Sequence, residues 1–338
     1  MEPPVRPILS NECLVLTRAP QPHSVSSMPS FGTVRIAAVQ ATPVILDADA
    51  TVDKAIGLLE DAAGDGVQLA VFPETFVSLY PSGAWGHQAA QFGGFDDMWQ
   101  RMWDSSIEVP GPAVDKLVAA CTELGIYCAI GINERELERP GSLYNTVLLL
   151  GPEGLLWKHR KLMPTMHERL FHGIGDGSDL SVTELPVGRV GGLICWENRM
   201  PLARYEMYRQ GPQIWIAPTA DDSEGWLATV RHIAIESGAF VVSAPQYIPR
   251  AAFTDDFPIE LPDLEVFGRG GAAIIEPQDG KIIAGPLYDA EGIVVADVDL
   301  KVGLRVKRWF DAVGHYSAPG ALRGQGLRPS DPSEPPGS

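Results

Sequence analysis

Residues 191–200 read GGLICWENRM. Four small or apolar residues end in a cysteine, and the polarity then switches to Trp-Glu-Asn-Arg, so a buried strand gives way to a polar turn at Cys195. In open α/β sheets functional groups collect just past the carboxyl ends of strands, where a side chain leaves the core yet stays held by the sheet. A thiol there, in a chain with only 4 cysteines, raises a chemical question. Alone it has a plain answer, because Cys behaves as a small hydrophobe and is among the most buried residue types.

Working outward, strand and helix patterns alternate. Residues 33–42 (TVRIAAVQAT) are β-branched and apolar, and 47–66 carry apolar residues at helical spacing behind an Asp-rich start suited to an N-cap, with a glycine to close the helix. Residues 67–75 (VQLAVFPET) form a near-continuous apolar strand broken by Pro73. A helix with Pro in its first turn is expected over 111–125 and a buried strand over 126–134. Residues 142–161 hold two extended runs joined by Gly-Pro-Glu-Gly, a hairpin. Further strands are expected at 189–198, 212–220, 239–246 and 271–285, with helices over 201–210 and 225–237. Hairpins mixed into βαβ units predict a large mixed sheet system covered by helices. Residues 1–32 and 321–338 are rich in Pro and Ser and read as a flexible N-terminal extension and a solvated, disordered tail around one domain over 33–320.

The 43 acidic residues outnumber 26 basic ones, and the net charge of -17 repels nucleic acid and anionic membranes. A small neutral substrate is the better expectation. No apolar run approaches the roughly 20 residues of a membrane span, and residues 1–30 lack a basic start followed by a hydrophobic block. The cysteines, at 13, 121, 128 and 195, show neither metal-type spacing nor the density of a disulfide scaffold. Free thiols and a cytoplasmic setting are the expectation, with Cys121 and Cys128 as packing residues.

Two other strand ends complement Cys195: Glu74 after LAVFP, and Lys161 after LLWKHR. A strand-end Glu is usually a cap or surface charge, and a Lys in KHRK usually a solvated face. The three together are harder to dismiss. A thiol of pKa about 8.5 needs a neighbouring base or cation to act as a nucleophile at neutral pH. Glu74 supplies the base and Lys161 a cation. A Cys–His pair stays open, with His159, His167 and His315 as candidates.

At this point the residues resemble a family. FPETF around Glu74, HRKLMPTMHER around Lys161 and Glu168, and above all GGLICWENRMPLARY around Cys195 resemble the nitrilase superfamily, and the CWEN form resembles its nitrilase branch. The likeness runs in the expected order from about residue 33 to about 319. It implies a four-layer α-β-β-α sandwich, with Cys195 as nucleophile, Glu74 as general base, Lys161 stabilising the electrophile, and Glu168 positioning substrate or water. It also implies an oxyanion-type site at the Trp196 backbone N–H, no metal or organic cofactor, and homo-oligomers built from dimers that extend into spirals. The activity implied is hydrolysis of an organic nitrile to acid and ammonia through a cysteine thioimidate and thioester. An amidase or carbamoyl hydrolase using the same three residues is the close alternative, although those branches usually follow the cysteine with Asp-rich or Tyr-Asp sequences. A catalytically silent assembly module is the distant one.

Tyr80, Trp85 and Trp196 are candidate pocket aromatics, weighed against plain core roles. Glu197 and Asn198 read as caps for the helix near Pro201, and Arg199 as half of an ion pair. The segment TFVSLYPSGAW after Glu74 keeps the Tyr-Pro pair of the family but places Leu79 before it, and this loop is expected to border the substrate.

Overall fold

A computed structural model describes residues 31–82, 85–86 and 94–317, so the expectations for the N-terminal extension before residue 31, for Cys13 and for the tail 321–338 lie outside the described residues. In chain order the elements are β1 (Thr33–Gln40), α1 (Ala48–Gly64), β2 (Leu69–Val71), α2 (Phe95–Asp104), α3 (Pro112–Leu124), β3 (Tyr127–Arg135), β4 (Leu143–Gly151), β5 (Gly154–Arg160), β6 (Thr183–Leu185) and β7 (Gly188–Gly192). There follow α4 (Pro201–Tyr208), β8 (Ile214–Thr219), α5 (Glu224–Ser237), β9 (Phe240–Pro245), β10 (Tyr247–Pro249), β11 (Val266–Ile275), β12 (Ile282–Tyr288), β13 (Gly292–Asp299) and α6 (Lys301–Lys307).

The strands form two sheets. One runs β13-β1-β2-β3-β4-β5, and the other β10-β11-β9-β8-β7-β6 with β12 on β11. Strands β1, β2 and β3 are parallel, as are β7, β8 and β9, while hairpins and returning strands pair antiparallel.

Side chains alternate across each strand, and the alternation makes the layers. On β1, Val34, Ile36 and Ala38 face the second sheet, whereas Ala37 and Val39 face helices. On β8, Ile214 and Ile216 face the first sheet and Trp215 and Ala217 face helices. Three hydrophobic layers result. The inter-sheet layer joins residues such as Leu69, Leu149, Val242 and Ile274. The outer face of the first sheet is covered by α1 and α3 through Leu59, Val52, Leu117 and Val114, and that of the second by α4 and α5 through Met207, Trp226 and Val230. This is the expected four-layer α-β-β-α sandwich.

Most element expectations hold, including the Asp47 cap, whose side chain accepts from the Ala50 N–H, and Pro112 opening α3. Two strands are shorter than their apolar runs. Residues 67–75 form a ladder only at Leu69–Val71, because Pro73 has no N–H to continue it. The strand before Cys195 ends at Gly192, and Cys195–Arg199 is a 3-10 turn. Elements α2, β13 and α6 carry no sequence expectation, although β13 pairs with β1 along all its residues. Among the described residues no helix is long and apolar enough to cross a membrane.

Candidate active site

Two glycines allow the strand ends to meet. In β3, a Cβ at Gly131 would lie 2.3 Å from the Pro73 carbonyl oxygen and 2.7 Å from the Glu74 Cα, so the segment carrying Glu74 lies directly on this backbone. A Cβ at Gly192 would lie 2.0 Å from the Ile216 carbonyl oxygen, and its absence lets the segment leading to Cys195 press on β8.

The first sheet supplies the charged groups. Lys161, immediately after β5, donates from Nζ to Glu74 Oε1 and to Glu168 Oε2, both at 2.6 Å. All three side chains are buried. The Asn145 amide on β4 donates to both carboxylates, at 2.7 Å each. Glu168 also accepts from the Thr165 N–H at 2.8 Å and from the Tyr80 hydroxyl at 3.2 Å, and the His172 ring lies 3.4 Å away. Protein groups therefore meet both oxygens of Glu168. The Glu74 Oε2, buried, has no hydrogen-bond partner among the described residues.

The second sheet supplies the sulfur. Cys195 has φ 49°, in the left-handed region that costs a non-glycine residue roughly 1 kcal/mol or more. Thr75 and Met166, also beside the site, share positive φ values. The turn is held by its own polar side chains: Glu197 accepts from the Ile194 N–H at 2.7 Å and from the Leu162 N–H, while Asn198 donates to the Leu193 and Cys195 carbonyl oxygens at 2.7 and 2.9 Å. Glu197 and Asn198 are thus not caps of α4, whose N-terminus has no side-chain cap; they fold the cysteine turn and tie it to the chain beside Lys161. Thr219, at the end of β8, donates its hydroxyl to Cys195 Sγ at 3.1 Å.

The electrostatics follow from burial. Enclosure raises the Glu74 pKa above the ordinary carboxylate value despite Lys161, and the neighbouring Glu168 adds to the rise. Burial also opposes the charged form of Glu168, but Lys161 and His172 overcome it and hold this carboxylate low. Lys161 stays a cation: burial works against its charge, and Glu74 and Glu168 outweigh it. Burial pushes the Cys195 thiol far up and the Glu74 charge pushes it further, with Lys161 and the Thr219 hydroxyl pulling back. One carboxylate is thus left basic, the other ionised.

Cys195 opens onto a pocket of about 290 Å³ lined by Tyr80, Pro81, Met166, His167, Trp196 and Asp221, among others. Glu74 and Lys161 are enclosed and form no part of its wall. A small apolar niche shares Tyr80 and Ala220 with it and is lined by Leu79, Trp85, Ile248, Phe253 and Phe267. A larger groove of about 740 Å³ holds none of the candidate residues, and its arginines pair with its own acids, Arg101 with Asp256 at 3.0 Å and Arg135 with Glu108 at 2.5 Å.

Of the sequence candidates, Glu74, Lys161, Glu168 and Tyr80 are brought together, and Cys195 lies beside them. Trp196 is 39% exposed on the pocket wall, its indole donating to Asp221 at 2.7 Å and its ring under the Arg199 guanidinium at 4.5 Å. Arg199 finds its carboxylate in Asp221, 3.2 Å away. Trp85 is buried core that also reaches the niche. Cys121 and Cys128 are buried free thiols. His159 sits between Asp179 at 2.7 Å and Glu197 at 3.1 Å, and His315 lies 3.5 Å from the Trp309 carbonyl oxygen, so neither pairs with the thiol. Sequence reasoning missed Asn145, His172 and Thr219. No group of three or more His, Cys, Asp or Glu side chains suited to a metal ion occurs among the described residues.

Comparison with known proteins bears on the family and the fold. A family model for carbon-nitrogen hydrolases matches residues 35–308. The chain is 44% identical over 293 residues to an aliphatic nitrilase of Sinorhizobium fredii, covering 86% of this chain and 94% of that one. It is 44% identical over 305 residues to a bifunctional nitrilase/nitrile hydratase of Lupinus angustifolius (86% and 85% covered) and 42% identical over 300 residues to nitrilase 1 of Arabidopsis thaliana (86% of each). Among solved structures, Saccharomyces cerevisiae Nit3, a member of the nitrilase superfamily, aligns with a TM-score of 0.67 at 22% identity over 87% of this chain and 98% of that one. An amidase from Nesterenkonia sp., with acrylamide added at its active site cysteine, aligns with a TM-score of 0.60 at 20% identity (82% and 100% covered). At these identities the solved structures speak for the fold alone.

Proposed function

Because this chain belongs to the carbon-nitrogen hydrolase family, we propose that it is a nitrilase that hydrolyses an organic nitrile to the carboxylic acid and ammonia. The relatives named for nitriles are 42–44% identical over most of the chain, whereas the amidase likeness is one of fold. The observation that carries the chemistry is the unpartnered, basic Oε2 of Glu74 in the same buried cluster as the Lys161 ammonium, both charges acting on the thiol of Cys195.

In this reading Glu74 takes the thiol proton as Sγ adds to the nitrile carbon, and the carbon–nitrogen π electrons move to nitrogen. Lys161 uses two of its three N–H bonds on Glu74 and Glu168, which leaves the third for that nitrogen. The Trp196 backbone N–H serves the same developing charge. Glu74 passes the thiol proton on to that nitrogen, which gives the thioimidate and frees the carboxylate. Water adds to the thioimidate carbon and loses one proton to the freed Glu74 carboxylate, which returns it to the nitrogen; the hydroxyl proton of the tetrahedral species follows the same route, and ammonia leaves to give a thioester. A second water releases the acid and returns the thiol. Glu168, held ionised, keeps Lys161 charged and Tyr80 in place, and Tyr80 and Trp196 flank the substrate.

The same reading places the catalytic domain over 33–320, with self-association through dimers and a cytoplasmic setting in keeping with free thiols. The test is to incubate the protein with panels of nitriles and amides and to measure ammonia and product identity. Acid from nitriles and none from amides is the expected result. Turnover of amides alone would assign the site to the amidase alternative, and silence on both to an inactive assembly module.

A further inference from the structure

Cys195 is enclosed, and its thiol is pushed up rather than down, yet His159 is engaged between two carboxylates and His315 lies on a distant carbonyl. Neither of these two rings prepares the sulfur for attack, and His167 stands on the wall of the pocket onto which the sulfur opens. Thr219 is fully buried at the carboxyl end of β8, the strand beside the one that leads into the cysteine turn. Its Oγ1 accepts the Asp221 N–H at 2.9 Å and donates to Sγ at 3.1 Å. The backbone bond occupies one lone pair and fixes the rotamer, so the hydroxyl hydrogen is aimed at the sulfur. The Ala220 N–H points at the same atom.

We propose that Thr219 is a further catalytic residue, whose hydroxyl, together with the Ala220 N–H, forms a small donor site that stabilises the Cys195 thiolate. Sulfur is a weak acceptor as a thiol and a much stronger one as an anion, so the bond tightens as Glu74 removes the proton. That is differential stabilisation of the charged form, the property that accelerates attack. The proposal rests on Cys195 being the nucleophile but not on the identity of its substrate.

The test is carbamidomethylation of the full-length protein by iodoacetamide, in which the thiolate displaces iodide, followed at Cys195 by peptide mass spectrometry across pH. The charged or titratable groups that face the sulfur are Glu74, Lys161 and Tyr80, with His167 and Asp221 on the pocket wall. None of these is altered in Thr219→Val, which keeps shape and loses the hydroxyl. The expected result is an alkylation midpoint about one pH unit higher and a neutral-pH rate about tenfold lower, the effect of losing a hydrogen bond to a charged acceptor. Thr219→Ser restores the donor and returns the midpoint to that of the parent. Should Thr219→Val fail to fold, Thr219→Ala removes the same hydroxyl without a methyl against sulfur. An unchanged midpoint in the hydroxyl-free variant, or an equal shift in Thr219→Ser, would overturn the proposal. Because alkylation needs no nitrile, a shifted midpoint in a protein inert toward nitriles upholds Thr219 while removing the substrate assignment.

Discussion

Cys195 is poorly ionised at rest, since burial and the Glu74 charge both raise its pKa. In the proposed reaction the thiol proton therefore has to move during attack, and Glu74, with its own pKa raised and one oxygen unpartnered, is the group proposed to receive it. Replacing Cys195 by Ala removes the nucleophile and should cut ammonia release from nitriles by about 10⁴-fold or more with the thermal midpoint nearly unchanged. Glu74→Gln keeps the shape and loses the basicity, and should lower kcat about 10²–10⁴-fold. In the parent, kcat/KM should fall as the pH falls through the Glu74 pKa, because protonated Glu74 cannot take the thiol proton. That acid limb should lie above the ordinary glutamate value, and a limb at or below it would remove Glu74 from the role. Glu74, Lys161 and Cys195 were legible because each is a reactive side chain at the end of an apolar run. Asn145 lies within a strand and Thr219 closes one, where polar residues usually satisfy local needs, and His172, four residues after Glu168, sits just past a short 3-10 turn (Met166–Leu170) that no helical pattern in the sequence announces. Only the tertiary fold reveals what these three touch.

At the scale of elements, the 3-10 turn Cys195–Arg199 is positioned by a buried brace. Burial works against charge on His159, but Glu197 and Asp179 outweigh it and raise its pKa to about 9, so the imidazolium joins the cysteine turn to the loop of Asp179. A raised folded pKa gives stability that is complete below the reference value of 6.5 and lost as pH rises through about 9. His159→Gln should cost about 3 kcal/mol in the acid range, and the gap in thermal midpoint from the parent should close on the alkaline side. A gap independent of pH would remove the charge from the brace. Gly131→Ala brings a methyl against the backbone of Glu74 and should destabilise the fold by about 1–3 kcal/mol while lowering turnover, read together by thermal unfolding and ammonia release. Long regular elements were readable from periodicity and Pro-Gly punctuation. The ends of β2 and β7 were not, since apolar sequence continues after the ladder stops and serves the core between layers. Strand β13 ends a region of alternating sequence whose partner, β1, is over 250 residues away in the chain.

Across the whole molecule, the site lies where the two sheets meet: Glu74 and Lys161 leave the first, Cys195 and Thr219 the second. Their alignment should depend on the inter-sheet layer, which both sheets share, more than on the helical layers, each of which touches one sheet. Leu148 and Leu149 are adjacent on β4, equally buried, and face opposite ways, Leu149 between the sheets and Leu148 toward helices. Each change to Ala should cost about 2–5 kcal/mol. Turnover per folded molecule should drop about tenfold or more only in Leu149→Ala, where the sheets shift relative to each other. Equal losses in the two variants would show that the layers do not set the alignment. The layering itself was anticipated through family likeness, because alternation of side chains reveals two faces of a strand without saying which sheet covers either. Pairing of β13 with β1 also orders events during synthesis. The first sheet keeps an open edge along β1 until residues 292–299 have been translated, after every group proposed for the chemistry has already emerged from the ribosome. A polypeptide interrupted before that point carries all the reactive side chains yet lacks the strand that closes their scaffold, so truncated products should be inert toward nitriles.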